Sequence, residues 1–315
     1  MSDEFRVLSC TYTHRSALTT RIMILGAHLP TSKGFLAALQ QARELECGCL
    51  QIFSKSPRQW QAPPLEPAKA DAFKAAWRQA RLAPLVVHDS YLINLAAPDD
   101  EVRAKSVEAM IDEVERAEAL GCQFLVTHGG AHLQKEKEAG TPAVAPVTAA
   151  EEAGLRRLAA SLRTVLERTP EVSVRIALEN TCGQGTCLGG PFEHLALVLD
   201  EVCSDRMAIC FDTCHAFAAG HDVATADGIE ATVAAFDHIV GLDKLVVIHL
   251  NDSKGELGRH LDRHEHIGQG CIGREGMARI VNHPRLQGLP FILETPESET
   301  MIRTNLETVR ALRAM

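Results

Sequence analysis

From Met23 onward, short apolar runs alternate with amphipathic segments. The runs are Met23–Leu25, Leu50–Phe53, Leu85–Val87, Phe124–Val126, Val174–Leu178, Met207–Phe211, Leu245–Ile248 and Phe291–Leu293. Each is short, bounded by polar or turn residues, and mostly lacks polar alternation, as strands of a parallel sheet covered on both faces do. Helical stripes lie between them. Phe73, Ala76, Trp77 and Ala80 fall at helical spacing, as do Val107, Met110, Ile111 and Val114. Leu155, Leu158, Ala159, Leu162, Val165 and Leu166 make the cleanest stripe, with Thr148 and Glu151 offering a capping box ahead of it. Leu195, Val198, Leu199 and Val202 form another, and Ile229, Val233, Phe236 and Val240 one more.

Strands alternating with helices in this number predict the α/β class and a (β/α)8 TIM barrel, which takes about 250 residues. A doubly wound open sheet is the structural alternative. The expected organisation is a single barrel domain over residues 21–315, preceded by a disordered extension over residues 1–20. No linker divides the chain, and Lys135–Ala150, with Pro142 and Pro146, reads as a long surface loop.

The chemistry gathers where the strands end. His88, His128, Glu179, Asp212, His249 and Glu294 stand at or just beyond the ends of six successive runs. In a parallel barrel these positions converge on the C-terminal rim, where active sites are built. Taken singly, such a histidine is usually a hydrogen-bonded core residue and such a carboxylate a helix N-cap. In series they are different, because burying so many polar groups at one rim is costly unless cations pair them. His215 follows Asp212 by three residues, and Asp262 and His264 stand two apart, on the same side of an extended segment. His266 is an alternative to His264, and Arg259–His266 alone would read as a solvated charged loop. The inventory of five histidines and four carboxylates suits Zn²⁺, with Mn²⁺ or Fe²⁺ as alternatives, in up to three sites. Clustered divalent ions favour phosphate-ester hydrolysis, since they activate water, hold a phosphoryl oxygen and stabilise a departing alkoxide.

Composition narrows this further. The 315-residue chain is 46% hydrophobic and 23% charged, as ordinary globular proteins are, and holds no apolar stretch long enough to span a membrane. Its ten cysteines show no CxxC pairing, which predicts reduced thiols and a cytoplasmic protein. Leu8–Thr20 lacks the apolar segment of a secretory signal. A net charge of −9 argues against indiscriminate nucleic-acid coating, but three divalent ions would add about +6 locally and admit a polyanion. A monomer without an obligate protein partner and without membrane contact is expected.

Five segments carry a family resemblance: His88-Asp-Ser-Tyr-Leu-Ile-Asn94, Leu178-Glu-Asn-Thr-Cys-Gly-Gln-Gly185, Phe211-Asp-Thr-Cys-His-Ala-Phe-Ala-Ala-Gly220, His249-Leu-Asn-Asp252 and Asp262-Arg-His264. They resemble the endonuclease IV family, the metal-dependent apurinic/apyrimidinic (AP) endonucleases of DNA base excision repair, from about Met23 to the C-terminus. The resemblance implies a (β/α)8 barrel and cleavage of double-stranded DNA 5′ to an abasic site, leaving a 3′-hydroxyl and a 5′-deoxyribose phosphate. It implies three zinc ions. His88, His128 and Glu179 would hold one, and Glu179 would bridge to a second completed by Asp212, His249 and Glu294. His215, Asp262 and His264 would hold the third. Glu294 and Glu179 would be catalytic, Glu294 by orienting the attacking water. Lys55-Ser-Pro-Arg-Gln-Trp60 matches the family's Arg-Gln-Trp loop, so Arg58, together with Tyr91 and Leu92, is expected to enter the duplex and help hold the abasic nucleotide out of the stack. Asn94 is expected to brace a loop. Asp89 stands where the family has glycine, and is expected to change loop charge or phosphate contact. The rival readings are a metal-dependent sugar isomerase or epimerase on the same barrel, needing no third site, and a zinc-stabilised structural protein with closed sites.

Overall fold

The computed structural model describes residues 23–134, 147–296 and 299–313. The extension expected over residues 1–20, and residues 135–146 of the expected loop, lie outside the described residues. All eight expected strands form: β1 (Ile24–His28), β2 (Cys49–Phe53), β3 (Leu85–His88), β4 (Phe124–His128), β5 (Arg175–Glu179), β6 (Met207–Asp212), β7 (Leu245–His249) and β10 (Pro290–Leu293). They close into a barrel in the order β1-β10-β7-β6-β5-β4-β3-β2, every pair parallel. The open-sheet alternative is thereby excluded. Two short strands, β8 (Asp252–Ser253) and β9 (His264–Glu265), pair antiparallel above the rim.

Alternation along each strand divides the apolar residues into two cores. Cys49, Val86, Val126, Ala177, Ala208, Cys210, Val247 and Ile292 fill the barrel interior. Their neighbours Leu50, Val87, Leu125, Leu178, Phe211, Ile248 and Leu293 face outward into the larger core under the helices. Gly26 belongs to the interior layer and must be glycine there, because a Cβ would sit 2.1 Å from the Cys49 carbonyl oxygen.

The five expected stripes lie on α2 (Pro67–Ala80), α3 (Asp100–Leu120), α4 (Ala149–Arg168), α5 (Phe192–Val202) and α7 (Ala226–Ile239). The α4 capping box is complete: Thr148 Oγ1 accepts from Glu151 N at 3.2 Å, and Glu151 Oε2 accepts from Thr148 N at 2.8 Å. The remaining helices are α1 (Phe35–Glu44), α6 (Thr213–Ala219), α8 (Gly273–Asn282) and α9 (Glu299–Arg313). Among the described residues, no helix is long and apolar enough to cross a membrane.

Candidate metal centre

The same alternation builds the site. Two residues beyond the interior layer, every strand turns one polar side chain into the barrel mouth. The ring is His28, Gln51, His88, His128, Glu179, Asp212 and His249 from β1 to β7, closed by Glu294 just after β10. Register sets neighbours side by side: His128 pairs with Glu179, and Asp212 with His249. A register shift at Ile209/Cys210 lies immediately below Asp212, the kind of irregularity that re-aims a side chain at a site. Six ring members are those the sequence singles out. His28 and Gln51 are additions.

The other three candidates reach the ring from above. Asp212 caps α6, accepting from His215 N at 2.7 Å, which places His215 over the mouth. His264 sits on β9, and Asp262 just before it. All nine expected side chains therefore meet. Their ligand atoms fall into three main groups, each within 4.8 Å: His88–His128–Glu179, Glu179–Asp212–His249–Glu294, and His215–Asp262–His264. His266 is not among them; its Nδ1 lies 3.1 Å from Asn305 Nδ2. Cys210 and Cys214 come within the same reach, but burial pushes both thiols up to about 12, leaving them poor competitors beside carboxylates.

The spacings suit side chains that share an ion. Two ligands about 2.0–2.1 Å from one tetrahedral zinc stand about 3.3 Å apart. Glu179 Oε2 lies 3.0 Å from His128 Nε2 and 3.4 Å from His88 Nε2, and Glu179 Oε1 lies 3.0 Å from His249 Nδ1. His249 Nδ1 is 3.2 Å from Glu294 Oε2, and His215 Nε2 is 3.3 Å from Asp262 Oδ1. Glu179 Oε2 and His264 Nε2 are buried without an aligned hydrogen-bond partner. Three histidines turn Nδ1 to a backbone carbonyl: His88 to Asp89 O (3.1 Å), His215 to Asn180 O (2.9 Å) and His264 to Glu294 O (2.9 Å). A carbonyl only accepts, so each Nδ1 carries a proton and each Nε2, facing the carboxylates, is the atom left to take a metal or a second proton. The residues fit zinc.

Electrostatics agree. Burial alone would raise Glu179 and Glu294, but the charges and hydrogen bonds of surrounding histidines, His249 foremost, hold both well below the usual carboxylate range. Burial alone would raise Asp262, but the hydrogen bond and charge of His215, with the charges of His264 and His128, together bring it down to about 2. Burial opposes charge on His88, yet Glu179, Glu294 and Asp89 lift it to about 9; His215 and His249 rise well above the ordinary value for the same kind of reason. The carboxylates require cations, and protons on histidine are the weaker way to supply them.

Arg58 is exposed on the loop after β2, Tyr91 is 65% exposed on the loop after β3, and Leu92 is half-buried. Ser90 Oγ donates to Pro57 O at 2.8 Å and ties the two loops together. Asn94 braces its loop as expected, exchanging bonds with Ala131 N and O at 3.0 Å. Trp60 packs under Lys105, whose Nζ lies 4.4 Å from the ring centroid. Asp89 is buried beside His88, and Thr127 Oγ1 donates to it at 2.6 Å.

A buried charge network supports the loop after β2. Ser54 Oγ donates to Glu113 Oε2 at 2.5 Å, and Lys55 Nζ lies 2.5 Å from Asp112 Oδ2 and 3.5 Å from Glu113 Oε1. Burial lifts Glu113 from 4.5 to about 7, against the pull of Lys55 and Ser54. A folded-state value above the unfolded one stabilises fully below the unfolded value and is lost as pH rises through the folded one. The chain should therefore lose about 3 kcal/mol between about pH 4.5 and 7, and Glu113→Gln should remove that loss. Urea unfolding across this range checks it; parallel curves for the two chains would refute it.

Residues 39–312 match a family model described as "Xylose isomerase-like TIM barrel". A "Probable endonuclease 4" of Chloroflexus aurantiacus is 44% identical over 290 residues, covering 91% of this chain and 97% of the relative. The crystal structure of endonuclease IV from Thermus thermophilus superposes with a TM-score of 0.78 at 36% identity, over 91% and 98% of the two chains. A 3-keto-D-glucoside 4-epimerase from E. coli superposes with a TM-score of 0.63 at 14% identity, over 93% and 100%, a likeness of fold alone.

Proposed function

The chain belongs to the endonuclease IV family, and from this premise we propose how its rim centre works. The protein is a zinc-dependent AP endonuclease that hydrolyses the phosphodiester 5′ to an abasic site in double-stranded DNA, leaving a 3′-hydroxyl and a 5′-deoxyribose phosphate. The observation that carries this reading is the meeting of nine oxygen- and nitrogen-ligand side chains in three zinc-sized groups at one open mouth, two of them sharing Glu179.

His88, His128 and Glu179 hold one zinc; Glu179, Asp212, His249 and Glu294 the second; His215, Asp262 and His264 the third. Bound there, zinc supplies Lewis acidity toward phosphate oxygens and lowers the pKa of water. The protein's own residues do the rest. Asn251 holds the ring at two points, its Oδ1 accepting from Glu294 N at 2.8 Å and its Nδ2 donating to Asp212 Oδ2 at 2.6 Å. Glu294 retains 16% side-chain exposure where Glu179 has none. That difference suits Glu294 to orient the attacking water and Glu179 to stay a fixed ligand. Arg58, Tyr91 and Leu92 stand on two tied loops at the rim and enter the duplex at the lesion. The enzyme acts as a monomer in the cytoplasm.

The sugar isomerase or epimerase reading leaves His215, Asp262 and His264 without a task. Zinc-loaded protein is expected to nick duplex DNA once, 5′ to a synthetic abasic site, giving an end that a polymerase extends, and to spare the same duplex with an intact base. Zinc loading without incision, together with interconversion of a ketose–aldose pair, would transfer the assignment to the isomerase.

A further inference from the structure

Two members of the ring have no part in the three groups above: His28 and Gln51. Gln51 is wholly buried in the middle of β2, between the second zinc group and His28. Its Nε2 lies 2.5 Å from Glu294 Oε1 and 3.0 Å from His28 Nδ1, and its Oε1 lies 2.8 Å from His249 Nε2. A carboxamide offers two N–H donors and one acceptor oxygen, so these three contacts use it completely.

The amide's direction follows from Glu294, which only accepts. The –NH₂ must face that carboxylate, since the reverse orientation would set two acceptor oxygens 2.5 Å apart. The Gln51 oxygen then faces His249 Nε2, which must carry a hydrogen. His249 Nδ1 is thereby the nitrogen left to take a metal or a second proton, and Nδ1 is the atom that stands 3.0 Å from Glu179 Oε1 and 3.2 Å from Glu294 Oε2. The second amide hydrogen meets His28 Nδ1, which accepts it in preference to donating to Glu294 Oε1 at 3.4 Å, so His28 carries its proton on Nε2, a buried atom with no partner of its own. His249 differs here from His88, His215 and His264, which use backbone carbonyls and present Nε2.

We propose that Gln51 is a positioning residue: one carboxamide fixes the tautomers of His249 and His28 and the pose of Glu294, so that His249 presents Nδ1 and Glu294 presents Oε2 to the same zinc. The inference rests on the zinc reading for the ion and for a neutral His249, while the direction of the Gln51 carboxamide is set by Glu294 alone. Groups that orient metal ligands in this way are worth about 10–100-fold in metal affinity.

Long-range ¹⁵N–¹H correlation spectra of the zinc-loaded natural chain should show both His249 and His28 protonated on Nε2. Zinc titration of Gln51→Leu should show one of three ions weakened about 10–100-fold, with the other two unchanged and His28 relaxed to a tautomer mixture. Retention of three ions at natural affinity by Gln51→Leu, or an Nδ1-protonated His28 in the natural chain, would overturn the proposal. The spectrum of the natural chain needs no variant, so a Gln51→Leu chain that fails to fold leaves the proposal open to refutation. A natural chain that takes up no zinc would sink the metal reading, and the His28 tautomer would still decide the role of Gln51.

Discussion

Glu179→Gln is expected to lower the rate of incision by about 10⁴-fold or more, equivalent to about 5.5 kcal/mol in the barrier, and to reduce the zinc content by at least the ion held between His88 and His128. Both carboxylate oxygens are engaged: Oε2 faces His88 and His128, and Oε1 faces His249 and His215 at 3.0 and 3.3 Å. An amide replaces one of these oxygens with a donor that cannot ligate, and removes a charge the surrounding imidazoles require. The side chain is fully buried, so water cannot take its place. Of the three groups, only His215–Asp262–His264 does not include it; without it His88 and His128 are left as a pair and Asp212, His249 and Glu294 as a trio. Single-turnover incision and metal analysis on the same preparation measure both effects, with circular dichroism to show that the barrel has formed. Activity within about tenfold of the natural chain, with three ions retained, would remove Glu179 from the centre.

What the sequence revealed and what it concealed have one physical cause. Six ring members are legible because each ends an apolar run, and a polar side chain at that position of a parallel strand lies at the rim. Gln51 escapes because it stands inside its run, between Leu50 and Ile52. His28 escapes because Gly26 and Ala27 weaken the apolar signal before it is reached. Counting two residues beyond the interior layer recovers both, but that layer is known only after the barrel closes. Closure brings Gln51 against Glu294, 243 positions away in sequence. Helix α6 is missed for a related reason: nearly all its residues are buried, and a helix without a polar face shows no stripe. Asp262 precedes and His264 begins a strand of two residues, too short for any period, so only their spacing and the rim series lifted them above a solvated charged loop before the resemblance assigned them a site. Asp89 looks like loop charge in the sequence, and only the Thr127 hydroxyl beneath it shows why a carboxylate can be buried there.

Removing zinc should abolish incision and cost stability by an amount that grows with pH. In the metal-free chain the imidazoles substitute for the cations. His88 rises from 6.5 to about 9, and His215 and His249 rise well above 6.5, so their contribution is complete below pH 6.5 and is lost as pH rises through the folded-state values. Glu179 and Glu294 lie well below 4.5 and Asp262 at about 2, so their contribution is complete above the unfolded values and is lost only in acid. The contribution of these ring groups to the metal-free chain is therefore largest between about pH 4.5 and 6.5 and weakens toward pH 9. Between about pH 6 and 8, His88 alone gives up about 2 kcal/mol. The loaded chain follows the opposite trend, because zinc and protons compete for the same nitrogens and loading strengthens as protons leave. Calorimetry of chelator-treated and zinc-restored protein at several pH values should show the gap in Tm widening with pH, and zinc alone should restore incision. A gap that stays constant over that range would mean that these histidines do not exchange protons for metal.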